Sequence, residues 1–303
     1  MHELVVAVLR ALRVTTELLA YSTIFYVGLA LLVKGRQAIG IGRPAIAAMR
    51  VNLGWLFLDA IIIAPVIAVA AASLRFVIRQ YSLEVVDEQA WQILWQPLVG
   101  VIAVFLGDFA SYWRHRLEHT PWLWPAHAIH HSDTEMSWLT LARFHPVNRL
   151  VTGCVDIVLL ALLGFPTWAL IANQIVRHYY GEFIHADVPW TYGPLRWVFV
   201  SPAMHQWHHA RDVEGAGSNF ATVFSVFDLG FGTYYLPGPC NVPLGVTEDV
   251  GHGVIRQLIY PFACWFRAAR DFVRDKSKAA WWVRSSNTRS SVSHRKAAET
   301  QGL

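Results

Sequence analysis

Residues 108–131 read DFASYWRHRLEHTPWLWPAHAIHH and carry five histidines: His115, His119, His127, His130 and His131. His115 and His119 are four apart, so on a helix they share a face. His127, His130 and His131 stand at i, i+3 and i+4, again one face. A second window, MHQWHH at 204–209, repeats the spacing with His205, His208 and His209. Each neutral imidazole brings one donor and one acceptor to satisfy. Such prongs make a poor apolar core and a good metal site, with acceptor nitrogens on the ion and outer N–H groups on carboxylates. Imidazole suits Fe, Zn, Cu and Ni. Eight rings exceed the coordination sphere of one ion, which predicts a dinuclear centre with each window supplying one half.

Outward from these windows the chain is apolar. Of 303 residues, 54% are hydrophobic and 15% charged, and the mean hydropathy is +0.35. Those values predict an all-α, polytopic membrane bundle. The 14 Trp and 10 Tyr fit the membrane–water interface. Spans are expected at 14–33, at 51–74 with Asp59 and Pro65 inside it, and at about 93–112. Residues 1–13 read as a separate lead-in and 75–94 as a polar loop. Two apolar runs, 147–163 and 167–183, are broken by Gly164-Phe165-Pro166. Each is about 25 Å long at 1.5 Å per residue. Read as a hairpin they bring the spans to four or five and return the second window to the side of the first. Read as one span they separate the windows.

Lys34, Arg36, Arg43 and Arg50 lie in one short loop, whereas 75–94 is net acidic. The positive-inside rule then puts a His-rich cap on the cytoplasmic side. The expected layout is 1–94 N-terminal transmembrane helices, 95–240 catalytic domain, 241–284 interfacial C-terminal helices, and 285–303 a disordered basic tail. Net charge is +4. No nucleic-acid motif accompanies it, so no nucleic-acid partner is expected. Cys154, Cys240 and Cys264 form no CxxC and imply no disulfide framework.

Rival chemistries occupy the same letters. HRLEH at 115–119 matches the HxxEH of inverted zinc proteases, with Glu118 as general base. That reading, an intramembrane zinc metalloprotease, leaves His127, His130, His131 and the second window unused. Glu182 and His185 make one ExxH, where soluble di-iron bundles need two such motifs and two further Glu.

HRLEH, HAIHH at 127–131 and HQWHH at 205–209 resemble the histidine boxes of the fatty acid hydroxylase/sterol desaturase superfamily. Asp108, Tyr112 and Arg116 resemble the entry to its first box. RFHP at 143–146, FIHAD at 183–187 and SNFATVFSVFDLGFGTYYLP at 218–237 resemble its later segments. The resemblance covers residues 95–240 and implies a multi-pass, non-haem di-iron oxygenase of a bacterial inner membrane or ER-type membrane. It would hydroxylate, or alternatively desaturate, a lipid C–H bond using O2 and two iron ions cycling between Fe2+ and Fe3+. No haem-binding HPGG is present, so electrons are expected from a separate cytochrome b5- or ferredoxin-like protein. The implied ligands are His115, His119, His127, His130, His131, His205, His208 and His209, with His185 as a ninth. His145 and His178 are further candidates. Asp108, seven residues before His115, is expected to hold a ligand's free N–H, with Asp187, Asn219 and Asp228 in similar roles.

Overall fold

The computed structural model describes residues 2–40 and 42–274. Among them the regular elements are all helical, with one isolated antiparallel bridge between Ala210 and Leu244. The helices are α1 (His2–Lys34), α2 (Arg43–Leu58), α3 (Ala64–Gln80), α4 (Glu88–Gln92), α5 (Gln96–Glu118), α6 (Trp124–His131), α7 (Pro146–Leu162), α8 (Thr167–His185), α9 (Pro202–His208), α10 (Val226–Gly230) and α11 (Val254–Arg274). Short 3-10 turns cover Gly35–Ile39, Trp138–Ala142 and Gly193–Trp197.

The first helix is longer than the sequence suggests. Residues 2–13 are its opening turns, because nothing in MHELVVAVLRALRV breaks a helix, and α1 runs 33 residues without interruption. A π-helical segment, Asp59–Ile63, joins α2 to α3. Pro65 lacks an N–H and crowds the carbonyl four residues back, that of Ile61, and the widened turn absorbs the conflict. The second expected span also continues past 74, as α3, to Gln80. Of the expected 75–94 loop, residues 81–87 remain a linker, and 88–92 form α4, capped by the Asp87 carboxylate on Gln89 N–H (2.8 Å).

Two stretches, Val8–Ile39 and Arg43–Gln80, are long and apolar enough to cross a membrane by length and composition. Large apolar side chains stand exposed along them, among them Ile24, Leu32, Val66 and Val69. Exposed Val101, Phe105, Ile171 and Ile175 continue this surface on α5 and α8. So much exposed apolar surface points to a membrane protein.

The chain turns back between α7 and α8 and does not run on as one helix. α5 packs against both α7 and α8, and α3 packs against α7. At the turn, Gly164 has φ +66°, and a Cβ there would lie 1.9 Å from the Val86 carbonyl oxygen. Val85 N–H donates to Leu162 O (2.7 Å), and Trp91 stacks on Phe165 (3.9 Å between centroids). Val99, Ala103, Leu160, Phe165 and Ala169 form the core beneath the turn. All of this lies at the far end from the histidines. At the histidine end, Lys34 pairs with Asp187, and Arg143 donates to Ala48 O (3.3 Å), so residues 34–48 approach the cap. Within the membrane-like part, Asp59 pairs with Arg149 of α7 (3.1 Å).

The C-terminal segment contains the amphipathic α11, exposing Ile255, Ile259, Phe262 and Phe266. Its other side packs on α6 and α2. Residues 275–284 of that segment and the 285–303 tail lie outside the described residues.

Candidate metal centre

Four helices deliver the rings. His115 lies in the last turn of α5, and His119 is its C-cap residue. In α6, Pro125 sets the first turn; Ala128 and Ile129 then pack against Trp55 and Val250, which leaves His127, His130 and His131 for the opposite side. His185 is the last residue of α8. The Ser201 hydroxyl accepts from Met204 N–H (3.3 Å) to start α9, which carries His205 and His208 and is followed by His209.

These nine rings fall into two groups: His115, His119, His127, His131 and His208 in one, His130, His185, His205 and His209 in the other, each with its ring nitrogens within 4.8 Å of one another. The windows therefore do not supply one half each. In both α6 and α9 the i and i+4 histidines serve one group, and the intervening i+3 ring swings to the other. His130 leaves its own window's group and His208 crosses in the opposite direction. The short helices stand between the groups, so one helical face spans both.

Four of the outer nitrogens are held by backbone. His115 Nδ1 donates to Phe220 O (2.8 Å), His130 Nδ1 to Arg143 O (3.2 Å), His185 Nδ1 to Gly181 O (2.6 Å), and His208 Nδ1 to Ser218 O. A carbonyl only accepts, so these four rings carry the proton on Nδ1 and a lone pair on Nε2. Yet His130 Nε2 and His185 Nε2 lie 3.1 Å apart. Two lone pairs at that distance repel unless a cation lies between them. His119 Nε2 and His208 Nε2 are buried with no hydrogen-bond partner. On these grounds the residues fit a metal centre with imidazole ligation. Burial, its largest cause, lowers the pKa of His127, His130, His131, His205 and His209, and takes His185 and His208 to about 4. The rings are thus neutral near pH 7, the form that binds metal.

The expected carboxylate partners sit elsewhere. Asp108 touches no imidazole. Seven residues is about 10 Å along a helix, too far for its carboxylate to reach His115. Instead it accepts from the N–H groups of Thr222 (3.1 Å), Val223 (3.0 Å) and Phe224 (2.8 Å). Asp228 accepts from Phe220 N–H (2.7 Å), Ala221 N–H (3.1 Å) and the Thr233 hydroxyl (2.7 Å). Two buried carboxylates thus hold five consecutive N–H groups, 220–224. The same loop aims the Ser218 and Phe220 carbonyls at His208 and His115. Asn219 completes it at φ +57°, donating to Met204 O (2.9 Å) and Tyr235 O (2.7 Å). Asp187 is exposed and pairs with Lys34, away from the rings.

Two candidate ligands lie outside both groups. His145 caps α7, accepting from Val147 N–H (3.2 Å) and donating to Leu258 O (3.1 Å), so both its nitrogens are engaged. His178 is half exposed and 3.5 Å from Glu182 on its own helix, two turns back from His185.

A buried ionic chain went unread in the sequence. Arg114 donates to Glu118 (2.6 Å) and Asp156 (3.3 Å), Arg177 donates to Asp156 (2.7 Å), and Arg177 lies 3.8 Å from Asp108. Charges at 156 and 177, inside two otherwise apolar runs, were the available signal. Glu118 Oε2 is also 3.5 Å from the outer nitrogen of His127. Glu118 is locked to Arg114 on that side and faces the outer nitrogen of His127, which removes the support for its acting as the general base of a protease.

Comparison with known proteins agrees with this geometry. Residues 100–233 match the fatty acid hydroxylase family model. The chain is 30% identical over 175 residues to the ornithine lipid hydroxylase OlsE of Rhizobium tropici, covering 57% of this chain and 52% of that one. It is 32% identical over 150 residues to human alkylglycerol monooxygenase, covering 49% and 33%. It is 30% identical over 144 residues to a very-long-chain aldehyde decarbonylase, GL1-11, of Oryza sativa, covering 46% and 54%. The chain thus spans about half or less of the length of these relatives. No solved structure gives a significant match.

Proposed function

We propose that the protein, whose residues 100–233 match the fatty acid hydroxylase family model, is a membrane-bound di-iron monooxygenase that hydroxylates a C–H bond of a bilayer lipid. The observation that carries this is the pair of histidine groups, five and four rings with nitrogens within 4.8 Å in each, set at one end of apolar helices. The five-ring group would hold one iron and the four-ring group the other. Iron bound there supplies the activation of O2 against an unreactive C–H bond. The chain's own residues do the rest. Carbonyls at Phe220, Ser218, Arg143 and Gly181 keep the protons on the outer nitrogens. Asp108 and Asp228 hold the loop that presents two of those carbonyls. Buried Tyr112, Phe220 and Met204 exclude water beside the rings, which limits loss of oxidising equivalents to solvent.

Support for a lipid substrate comes from the exposed apolar helices and from relatives named for ornithine lipid and alkylglycerol oxidation. Support for a cytoplasmic active site comes from the basic 34–50 segment, whose Lys34 pairs with Asp187 at the histidine end. Electrons then come from a separate cytochrome b5- or ferredoxin-like protein on that side.

The test is metal analysis of the purified protein combined with mass spectrometry of lipids from cells with and without it. Hydroxylation yields a lipid one oxygen atom heavier, and desaturation one lacking two hydrogens. Two irons per chain and an oxygenated lipid are expected. A metal-free protein, or no altered lipid class, refutes the proposal.

A further inference from the structure

We propose that Glu118 is a positioning residue for the five-histidine group, acting through His127 to set that ring's tautomer and to supply the negative charge its ligands lack; the inference rests on the metal-centre reading above.

Nine neutral imidazoles bring no charge to a divalent ion. Among the described residues, Glu118 is the carboxylate that comes within 4 Å of any of the nine rings, with Oε2 at 3.5 Å from His127 Nδ1. At that length the contact is electrostatic. Four other rings have their outer proton fixed by a carbonyl; His127 Nδ1 instead lies 2.9 Å from Asn148 Nδ2, while Asn148 Oδ1 is buried with no hydrogen-bond partner, so turning the amide over would exchange a donor for an acceptor at that ring. An amide presents either a donor or an acceptor and so serves either tautomer. A carboxylate only accepts. Its presence favours the proton on Nδ1 and leaves Nε2, which lies 3.1 Å from His115 Nε2 and 3.2 Å from His131 Nε2, free to ligate.

The ionic chain has charge to spare for this. Glu118, Asp156 and Asp108 face Arg114 and Arg177, three carboxylates against two guanidinium groups, all buried. Glu118 Oε1 is buried with no hydrogen-bond partner. Replacing Glu118 by Gln would therefore balance the chain's charge instead of leaving it with an excess of cations. A residue present only to neutralise Arg114 has no need of the surplus.

The experiment uses the full chain in lipid nanodiscs: wild type, Glu118→Gln, Glu118→Asp, and the double variant Arg114→Gln/Glu118→Gln. Iron and cobalt affinity are read by competition with a chelator, reduction potential by redox titration, and folding by thermal unfolding of the metal-free proteins. Glu118→Gln is expected to bind metal about 10–100-fold more weakly at one of two positions, with a more positive potential. Glu118→Asp, which keeps the charge but withdraws it from His127, is expected to fall between, and the double variant to stay impaired. Wild-type affinity and potential in Glu118→Gln, or their return in the double variant, overturns the proposal. Should Glu118→Gln fail to fold, wild-type affinity in Glu118→Asp overturns it. A wild type that binds no metal overturns the metal-centre reading itself and this inference with it.

Discussion

Replacing Asp108 tests how the cap is held together. Its carboxylate is fully buried and accepts three backbone N–H bonds, one on Oδ1 from Thr222 and two on Oδ2 from Val223 and Phe224. Each hydrogen bond to a charged group contributes about 1.5–3 kcal/mol net. The sum overstates the loss, because the loop relaxes and Thr222 N–H is near solvent. Asp108→Ala should therefore cost about 3–5 kcal/mol, the range seen when one member of a buried charged set is removed. In Asp108→Asn, an amide oxygen at the Oδ2 position keeps two of the three bonds, and the cost should fall to about 1–3 kcal/mol. Loosening 220–224 also frees the Phe220 and Ser218 carbonyls, so His115 and His208 lose their anchors. Thermal unfolding in nanodiscs gives the ordering wild type, Asn, Ala, and metal analysis should show loss from the five-histidine group in the Ala variant. An Ala variant within about 0.5 kcal/mol of wild type, with full metal content, refutes the cradle.

His130→Ala should lower metal content, whereas His145→Ala and His178→Ala should not, since the last two lie outside both groups; equal metal content in all three by elemental analysis contradicts the assignment. The metal-free protein should lose stability as pH falls, because His185 and His208 stay neutral down to about 4 when folded but take up protons near 6.5 when unfolded. The thermal midpoint should be flat above pH 6.5 and drop between 6.5 and 4; a midpoint that rises in that window is incompatible with buried neutral rings. Gly164→Ala should destabilise the hairpin by at least about 2 kcal/mol from left-handed backbone strain and overpacking, because φ is +66° and the added Cβ would strike Val86 O. Gly193→Ala, at φ +52° with open space around it, should cost less in the same unfolding assay.

Much of the candidate site was legible in the sequence because helical periodicity is local. Four residues along a helix return a side chain to the same face whatever surrounds it, so the prongs at 115–119, 127–131 and 205–209 could be read directly. The apolar runs were legible for the same reason, although α1 and α3 proved longer because no breaker stops them at 14 or 74. His145 misled because HP after a polar stretch is also an N-cap followed by a first-turn proline. Asp108 misled because a shared helical face is not a shared height.

The sequence by itself determined an all-α, largely apolar chain with its imidazoles gathered in two windows, since composition and spacing survive any packing. Only the tertiary structure decided which rings meet, sending His130 and His208 across to the other window's group. It also decided what holds the rings. The partners of His115, His130, His185 and His208 are backbone carbonyls, which every residue possesses and no side chain announces. Their selection rests on how the 218–224 loop, pinned by Asp108 and Asp228, docks against α5 and α9.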